Sequence, residues 1–337
     1  MSVMAVVHPN PRHRHARSTH GFRCCLTVFI TLIYLATTAH AAVPTDNSTD
    51  IAKAVSAVEQ ANTAFNQAYA GRDLWAMSRL WTKADYVSAI HPAHPTPFLN
   101  WENVRSSWKQ TFDHNRDITI RSLAGFVHVA GPVAWVIDSI RLEAFQTQTG
   151  QPIVMDNILT TKIFEKQGGK WLLSHYHAHL PKLTTPNAEP FVPFYPEANF
   201  SKAAAAVAQS NEVFNVALLN SDSVMMEGLW ADADYVTAIH PDFPLPFLGP
   251  QNVRSSWEQL FAGDPQITLD HLGRAFHVAG RIAWVIEATG FQAVWPATDR
   301  EILYMGNLLT TKIYEKHGDR WLLIHYHGHR GPESHTH

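Results

Sequence analysis

The sequence predicts an α+β fold built twice, as two tandem copies of one domain. Three observations carry this reading: a long internal repeat, helical periodicity early in each copy, and a strand–turn meander late in each copy. Asp85-Tyr86-Val87 recurs as Asp234-Tyr235-Val236, and Ala89-Ile90-His91-Pro92 as Ala238-Ile239-His240-Pro241. Asn103 to Trp108 recurs unchanged as Asn252 to Trp257, and Thr160-Thr161-Lys162-Ile163 as Thr310 to Ile313. Trp171-Leu172-Leu173 and His175-Tyr176-His177 return as Trp321-Leu322-Leu323 and His325-Tyr326-His327. Each copy is a whole domain; solenoid units repeat every ~20–50 residues.

In the first copy, Val58, Ala61, Phe65 and Ala68 sit at helical spacing, which predicts an amphipathic helix over 54–70. A short helix follows over 73–80, then a β-rich run from Tyr86 to Ile90 that His91-Pro92 ends. After a loop with Pro92, Pro95 and Pro97, a third helix starts near Asn100, a good cap, and buries Val104, Trp108 and Phe112. Its counterpart has Pro250 at the first helical position. Four strands are expected over 117–129, 133–145, 153–166 and 170–179. Gly131-Pro132, Gly150-Gln151-Pro152 and Gly168-Gly169 supply the turns. Helices first and a meander last imply helices packed on one face of a curved antiparallel sheet. The domains are drawn at 51–180 and 201–331, joined by a proline-rich linker over 181–200 in which Phe191, Phe194 and Tyr195 suggest packing against a surface.

Residues 1–41 read as a secretory signal. Arg12, Arg14, Arg17 and Arg23 precede an apolar run from Cys24 to Thr37, and Ala39-His40-Ala41 supplies a small-x-small cleavage site. The run is short for a membrane span. Both cysteines leave with this segment, so the mature chain carries no thiol and no disulfide, and its cores alone must hold it. Removing four arginines and no acid makes the net charge more negative than the −3 of the full chain. No basic surplus exists to attract nucleic acid or, after cleavage, an acidic membrane.

Ile90-His91-Pro92, the Asn103–Trp108 helix, Ala134-Trp135-Val136 and Trp171 through His179 resemble SnoaL-like members of the NTF2-like superfamily. Phe126 to Val129 through Ile140-Arg141-Leu142, with Lys170-Trp171 and His175-Tyr176-His177, also resembles the association domain of calcium/calmodulin-dependent protein kinase II. The resemblance implies two tandem cones, each a curved sheet packed on about three N-terminal helices, with an open apolar mouth. Members commonly dimerise through their sheets, so the tandem implies a pseudo-dimer within one chain. Some relatives are isomerases, cyclases or dehydratases, and others only bind ligands or act as scaffolds; the fold does not choose between them.

Several residues are candidates for chemistry. His91, Arg105, Trp108, His175, Tyr176 and His177 are expected around the mouth of the first cone, and His240, Arg254, Trp257, His325, Tyr326 and His327 around the second. Alternate strand residues share a face, so His175, His177 and His179 align, as do His325, His327 and His329. His175 with His177, and His325 with His327, could place two imidazoles on zinc or copper. The same histidines could instead bond neighbours across a sheet interface. Arg105 and Arg254 could hold a substrate carboxylate, or pair with Asp85 and Asp234. Asp138 and Glu287 occupy matching strand positions; in an apolar cone either could have a raised pKa and act as general base, with Tyr86 or Tyr176 as a hydrogen-bond donor. The alternative for both carboxylates is a solvated sheet surface. The tryptophans read mostly as core. No P-loop, Rossmann glycine pattern, nucleophile elbow or catalytic cysteine appears, so no cofactor is implied. The leading expectation is a periplasmic or secreted protein that binds a small molecule. The alternatives are a ketosteroid-isomerase-like isomerase or dehydratase, and a histidine-rich zinc or copper protein.

Overall fold

The computed structural model describes residues 46–92, 94, 96–181, 201–295 and 302–330. The signal segment 1–41, linker residues 182–200 and the C-terminal His335 and His337 lie outside the described residues. The first copy runs α1 (Asp46–Ala70), α2 (Leu74–Arg79), β1 (Ser88–Ile90), β2 (Phe98–Leu99), α3 (Trp101–His114), β3 (Asn115–Ala130), β4 (Val133–Gln146), β5 (Pro152–Gln167) and β6 (Lys170–His179). The second runs α4 (Lys202–Leu219), α5 (Ser223–Glu227), β7 (Thr237–Ile239), β8 (Phe247–Leu248), α6 (Pro250–Phe261), β9 (Gln266–Ala279), β10 (Ile282–Val294), β11 (Ile302–His317) and β12 (Arg320–Arg330).

Local chemistry sets the helix ends. Asp73 and Asp222 cap α2 and α5, accepting from the backbone N–H of Ala76 and Met225. Asn100 caps α3 through the N–H of Asn103 at a positive φ of 65°. Gly249 takes the same left-handed position ahead of α6, with Pro250 in the first turn. α1 begins eight residues before the expected start at 54. Residues 49–53 are exposed, and a solvated extension leaves no periodic signal in the sequence.

Each copy forms a six-stranded sheet, ordered β2-β1-β6-β5-β4-β3 and β8-β7-β12-β11-β10-β9. The sheets are mixed rather than purely antiparallel. β1 lies parallel to β6, Ser88 opposite His175, and β7 parallel to β12, Thr237 opposite His325. The short strands, which precede α3 and α6 in the chain, form one edge of each sheet. Register shifts between Ser122 and Ala124, Ile140 and Leu142, and Ile163 and Phe164 bend the long strands.

Most of β4, β6, β10 and β12, and the stretch Ile158–Glu165 of β5, is buried on both faces. One face packs on its own helices: Ala134, Val136, Ile140 and Tyr176 meet Val58, Phe65, Val104 and Trp108. The other face of the first sheet, with Ile90, Trp135, Ile137, Leu159 and Ile163, joins the core of the second copy. Phe214 sits at the centre of the second cone, edge-on to Trp257 at 5.5 Å and beneath the Lys312 ammonium at 4.4 Å. Replacing it removes a large buried ring and a cation–π contact, so Phe214→Ala is expected to lower unfolding free energy by about 3–5 kcal/mol in urea titration.

Candidate functional site

The mouth of each cone is built around one histidine and one serine. In the second copy, α6 buries Val253, Ser256, Trp257 and Phe261 at helical spacing. Ser256 Oγ donates to the Val253 carbonyl at 2.7 Å. His240, just past β7, brings Nε2 to 2.9 Å from the same Oγ. A hydroxyl has one proton; assigned to the carbonyl, it leaves the imidazole to supply the proton of the second bond. In that assignment His240 is the Nε2–H tautomer, with a lone pair on Nδ1. Burial pushes its pKa down to about 3, so the ring is neutral in ordinary buffers. Trp257 and Tyr326 wall it in, with ring centres 4.7 Å and 5.4 Å away.

The first copy repeats this arrangement. Ser107 Oγ donates to the Val104 carbonyl at 2.8 Å, and His91 Nε2 lies 2.9 Å from it. Burial, with His94 nearby, lowers the His91 pKa to about 3. The cavities differ in size. The second mouth encloses about 270 Å³ among His240, Ser256, Trp257, Phe291, Leu308 and Tyr326. The first encloses about 150 Å³ among His91, Ile118, Met155 and Tyr176, where Tyr69 stands in place of Leu218. Of the expected mouth residues, His91, Tyr176, His240, Trp257 and Tyr326 line these cavities, and Trp108 packs against His91 at 4.7 Å.

The two arginines lie elsewhere, which corrects the expectation that they flank the mouth. Arg105 is exposed, one position off the buried stripe of α3. Arg254 pairs with Glu227, not Asp234, in a separate groove between α5 and α6. His175, His177, His325 and His327 are also displaced from the mouth. Strand alternation turns Tyr176 and Tyr326 into the cones and these four imidazoles toward the other copy. His175 Nε2 and His177 Nδ1 each lie 2.8 Å from Thr311 Oγ1. His325 Nε2 and His327 Nδ1 lie 2.9 Å and 2.8 Å from Thr161 Oγ1. Their remaining nitrogens bond Ser88, His329, Thr237 and His179. All eight ring nitrogens have partners, so none of these four has a lone pair to spare for zinc or copper. Among the described residues, no three His, Cys, Asp or Glu side chains are placed to hold a metal ion.

Asp138 and Glu287 are buried rather than solvated, and neither lines a mouth cavity. Lys162 Nζ donates to Asp138 Oδ2 at 2.7 Å, and Asn62 donates to it at 2.8 Å. Lys312 Nζ donates to Glu287 Oε2 at 2.5 Å, with Asn215 Nδ2 3.1 Å from Oε1 and His271 Nδ1 3.3 Å from it. Burial alone would raise the Glu287 pKa; the Lys312 ammonium, His271 and Asn211 outweigh it and hold the carboxyl well below its ordinary range. The expected raised-pKa base is thus an ionised, paired group. Tyr86 is also committed: its hydroxyl donates to Glu165 at 2.7 Å and its ring stacks on His277 at 3.6 Å.

Four partners escaped sequence reasoning: Ser107, Ser256, Lys162 and Lys312. All lie inside repeated blocks, and a lysine retained inside an apolar strand was the available signal. The register explains the pairing. Asp138 faces Thr160 and Glu287 faces Thr310, so each lysine is the same-face diagonal neighbour. Lys312→Met takes the buried ammonium away from Glu287, leaving it only His271 and the asparagines, and is expected to cost about 3–5 kcal/mol in urea unfolding. Adding Glu287→Leu to it should recover most of that loss.

Two helix-packed cones with a small cavity at each mouth define an α+β protein of the NTF2-like class. A SnoaL-like domain model matches residues 58–181 and again residues 207–328, well over half of the chain. The chain therefore belongs to the SnoaL-like domain family, as two tandem members. It is 30% identical over 122 residues to F-box protein SKIP8 of Arabidopsis thaliana, covering 36% of this chain and 48% of that protein. The chain thus matches about half the length of that relative. Among solved structures it is similar to a candidate dehydratase of the NTF2-like family from Streptomyces avermitilis (23% identity, 40% of this chain, 99% of that one, TM-score 0.37). It is also similar to a candidate calcium/calmodulin-dependent protein kinase type II association domain from Thiobacillus denitrificans (22% identity, 37% and 94%, TM-score 0.31).

Proposed function

We propose that this chain is an exported binding protein whose second cone takes a small, mainly apolar molecule carrying one hydrogen-bond donor. The observation that carries this reading is His240 at the cavity wall, with Nε2–H committed to Ser256 and a lone pair on Nδ1. The other lining groups are largely apolar and aromatic, which suits a ring or a branched hydrocarbon body. The first cone, narrowed by Tyr69, takes a smaller ligand or none. The contact between the two sheets reads as a dimer built within one chain.

A binding role fits the electrostatics better than acid–base catalysis. A general base works best with a pKa near the operating pH. An imidazole at about 3 accepts a hydrogen bond but holds a proton weakly. The cone carboxylates are tied to lysines and stand away from the cavities, so the isomerase or dehydratase reading draws no support from them.

Titration calorimetry with 4-ethylphenol and ethylbenzene tests the reading. The phenol is expected to bind the second cone up to about tenfold more tightly, the worth of one buried neutral hydrogen bond. His240→Phe should erase that preference while ethylbenzene still binds. Failure of both compounds to bind, or a preference that survives the substitution, would remove the proposal. Export has its own check. N-terminal sequencing of the secreted protein is expected to begin at Ala42, and an intact Met1 start on protein outside the cell would contradict it.

A further inference from the structure

Six imidazoles lie between the two sheets: His175, His177 and His179 from β6, and His325, His327 and His329 from β12. None is more than 2% exposed. They form two hydrogen-bonded chains that cross from one copy to the other. In one, Thr237 Oγ1 lies 2.8 Å from His325 Nδ1, and His325 Nε2 lies 2.9 Å from Thr161 Oγ1. Thr161 Oγ1 is 2.8 Å from His327 Nδ1, and His327 Nε2 is 2.8 Å from His179 Nδ1. The second chain runs Ser88, His175, Thr311, His177, His329, with links of 2.8, 2.8, 2.8 and 2.7 Å. The chains touch where His177 stacks on His327, ring centres 3.7 Å apart and planes within 3°. Each ends on a buried Nε2, of His179 or His329, that has no partner.

Proton counting fixes what this arrangement tolerates. A neutral imidazole has one N–H and one lone pair, and a hydroxyl in the chain likewise gives one and takes one. Neutral rings therefore complete every link. One imidazolium per chain can be fitted, because the bonds on either side can all point away from it. A second in the same chain cannot be. Two cations flanking Thr161 or Thr311 would both donate to one hydroxyl and leave its proton without an acceptor. Adjacent cations at the His327–His179 or His177–His329 link would set N–H against N–H.

Among the described residues, no anion sits within the cluster to offset added charge. The charged neighbours felt by His175, His177, His179 and His327 are other rings of the six. β4 and β10 present Trp135, Ile137, Trp284 and Ile286 to this space, and β1 and β7 present Ser88, Ile90, Thr237 and Ile239. The flanking titratable groups are Tyr86, Glu165 and His277 on one side and Tyr235, Glu315 and His128 on the other. Each glutamate is already bonded to its tyrosine. At the strand ends, Arg330 pairs with Asp242.

We infer that the contact between the two copies is an acid-released clasp, closed while both histidine chains are neutral and opened when a chain takes up its second proton. Burial holds His175, His325 and His329 at about 3 and the other three well below the ordinary histidine value of 6.5. Rings released to water return toward that value, so the open form binds more protons between about pH 6.5 and 3. The clasp is at full strength above that window and weakens as pH falls through it, by up to about tenfold per pH unit for each histidine involved.

Small-angle scattering and far-ultraviolet circular dichroism of the full chain, from pH 7.5 to 4.0, test this. The radius of gyration is expected to rise as pH falls, with the secondary-structure signal retained. The double variant His177→Phe/His327→Phe keeps the stacked pair but removes two proton acceptors. Its transition should move at least about half a pH unit lower and become shallower. Should that variant fail to fold, His179→Phe/His329→Phe removes the chain ends instead, with the same shift expected. A radius that stays constant to pH 4.0 overturns the inference. So does loss of secondary structure in the same step, or a midpoint that neither variant moves. Protonation of Glu165 or Glu315 as the true trigger would appear as that last outcome.

Discussion

Everything in this molecule follows from sheets whose central strands are buried on both faces. A strand sends alternate side chains to opposite faces, so one face can close on the helices of its own copy while the other still needs cover. Each copy supplies that cover for its neighbour. Trp135, Ile137 and Ile163 meet Trp284, Ile286 and Ile313 in one continuous core. A single copy could satisfy its cone; it would leave a broad apolar face, with the three histidines of its last strand, in water.

The polar groups on that shared face show how the constraint is met. Buried polar atoms are costly without partners. Here they are arranged so that threonines of one copy lie between imidazoles of the other, and histidines from the two copies bond directly. The same logic runs inside each cone. Asp138 and Glu287 are tolerated because a lysine two positions along the neighbouring strand reaches each of them, with asparagines from α1 or α4 adding bonds. These charges stand apart from the mouth cavities, which are bordered mainly by neutral rings and aliphatic side chains, with Asp242 at the second.

The two copies differ at their mouth cavities. The histidine–serine–carbonyl arrangement is kept in both. The volume is not, and Tyr69 stands in the first lining where Leu218 stands in the second. The second copy also has His271 beside its buried carboxylate, where the first has Ser122.

The sequence by itself determined the duplication, the order of helices and strands, the turns and the caps. Those depend on local spacing and on residues with strong backbone preferences, such as Asn100, Pro250 and Gly168. It also placed His175, His177 and His179 on one face, since alternation is a property of any strand. Which way that face pointed was decided only by the tertiary structure, because period-two patterning is the same for a face turned toward a cavity and one turned toward another sheet. Strand register gave Asp138 and Glu287 their lysines. Helix rotation turned Arg105 outward while bringing Ser107 under His91. Separations of 16 to 166 residues link these pairs, and no local spacing rule reaches across them.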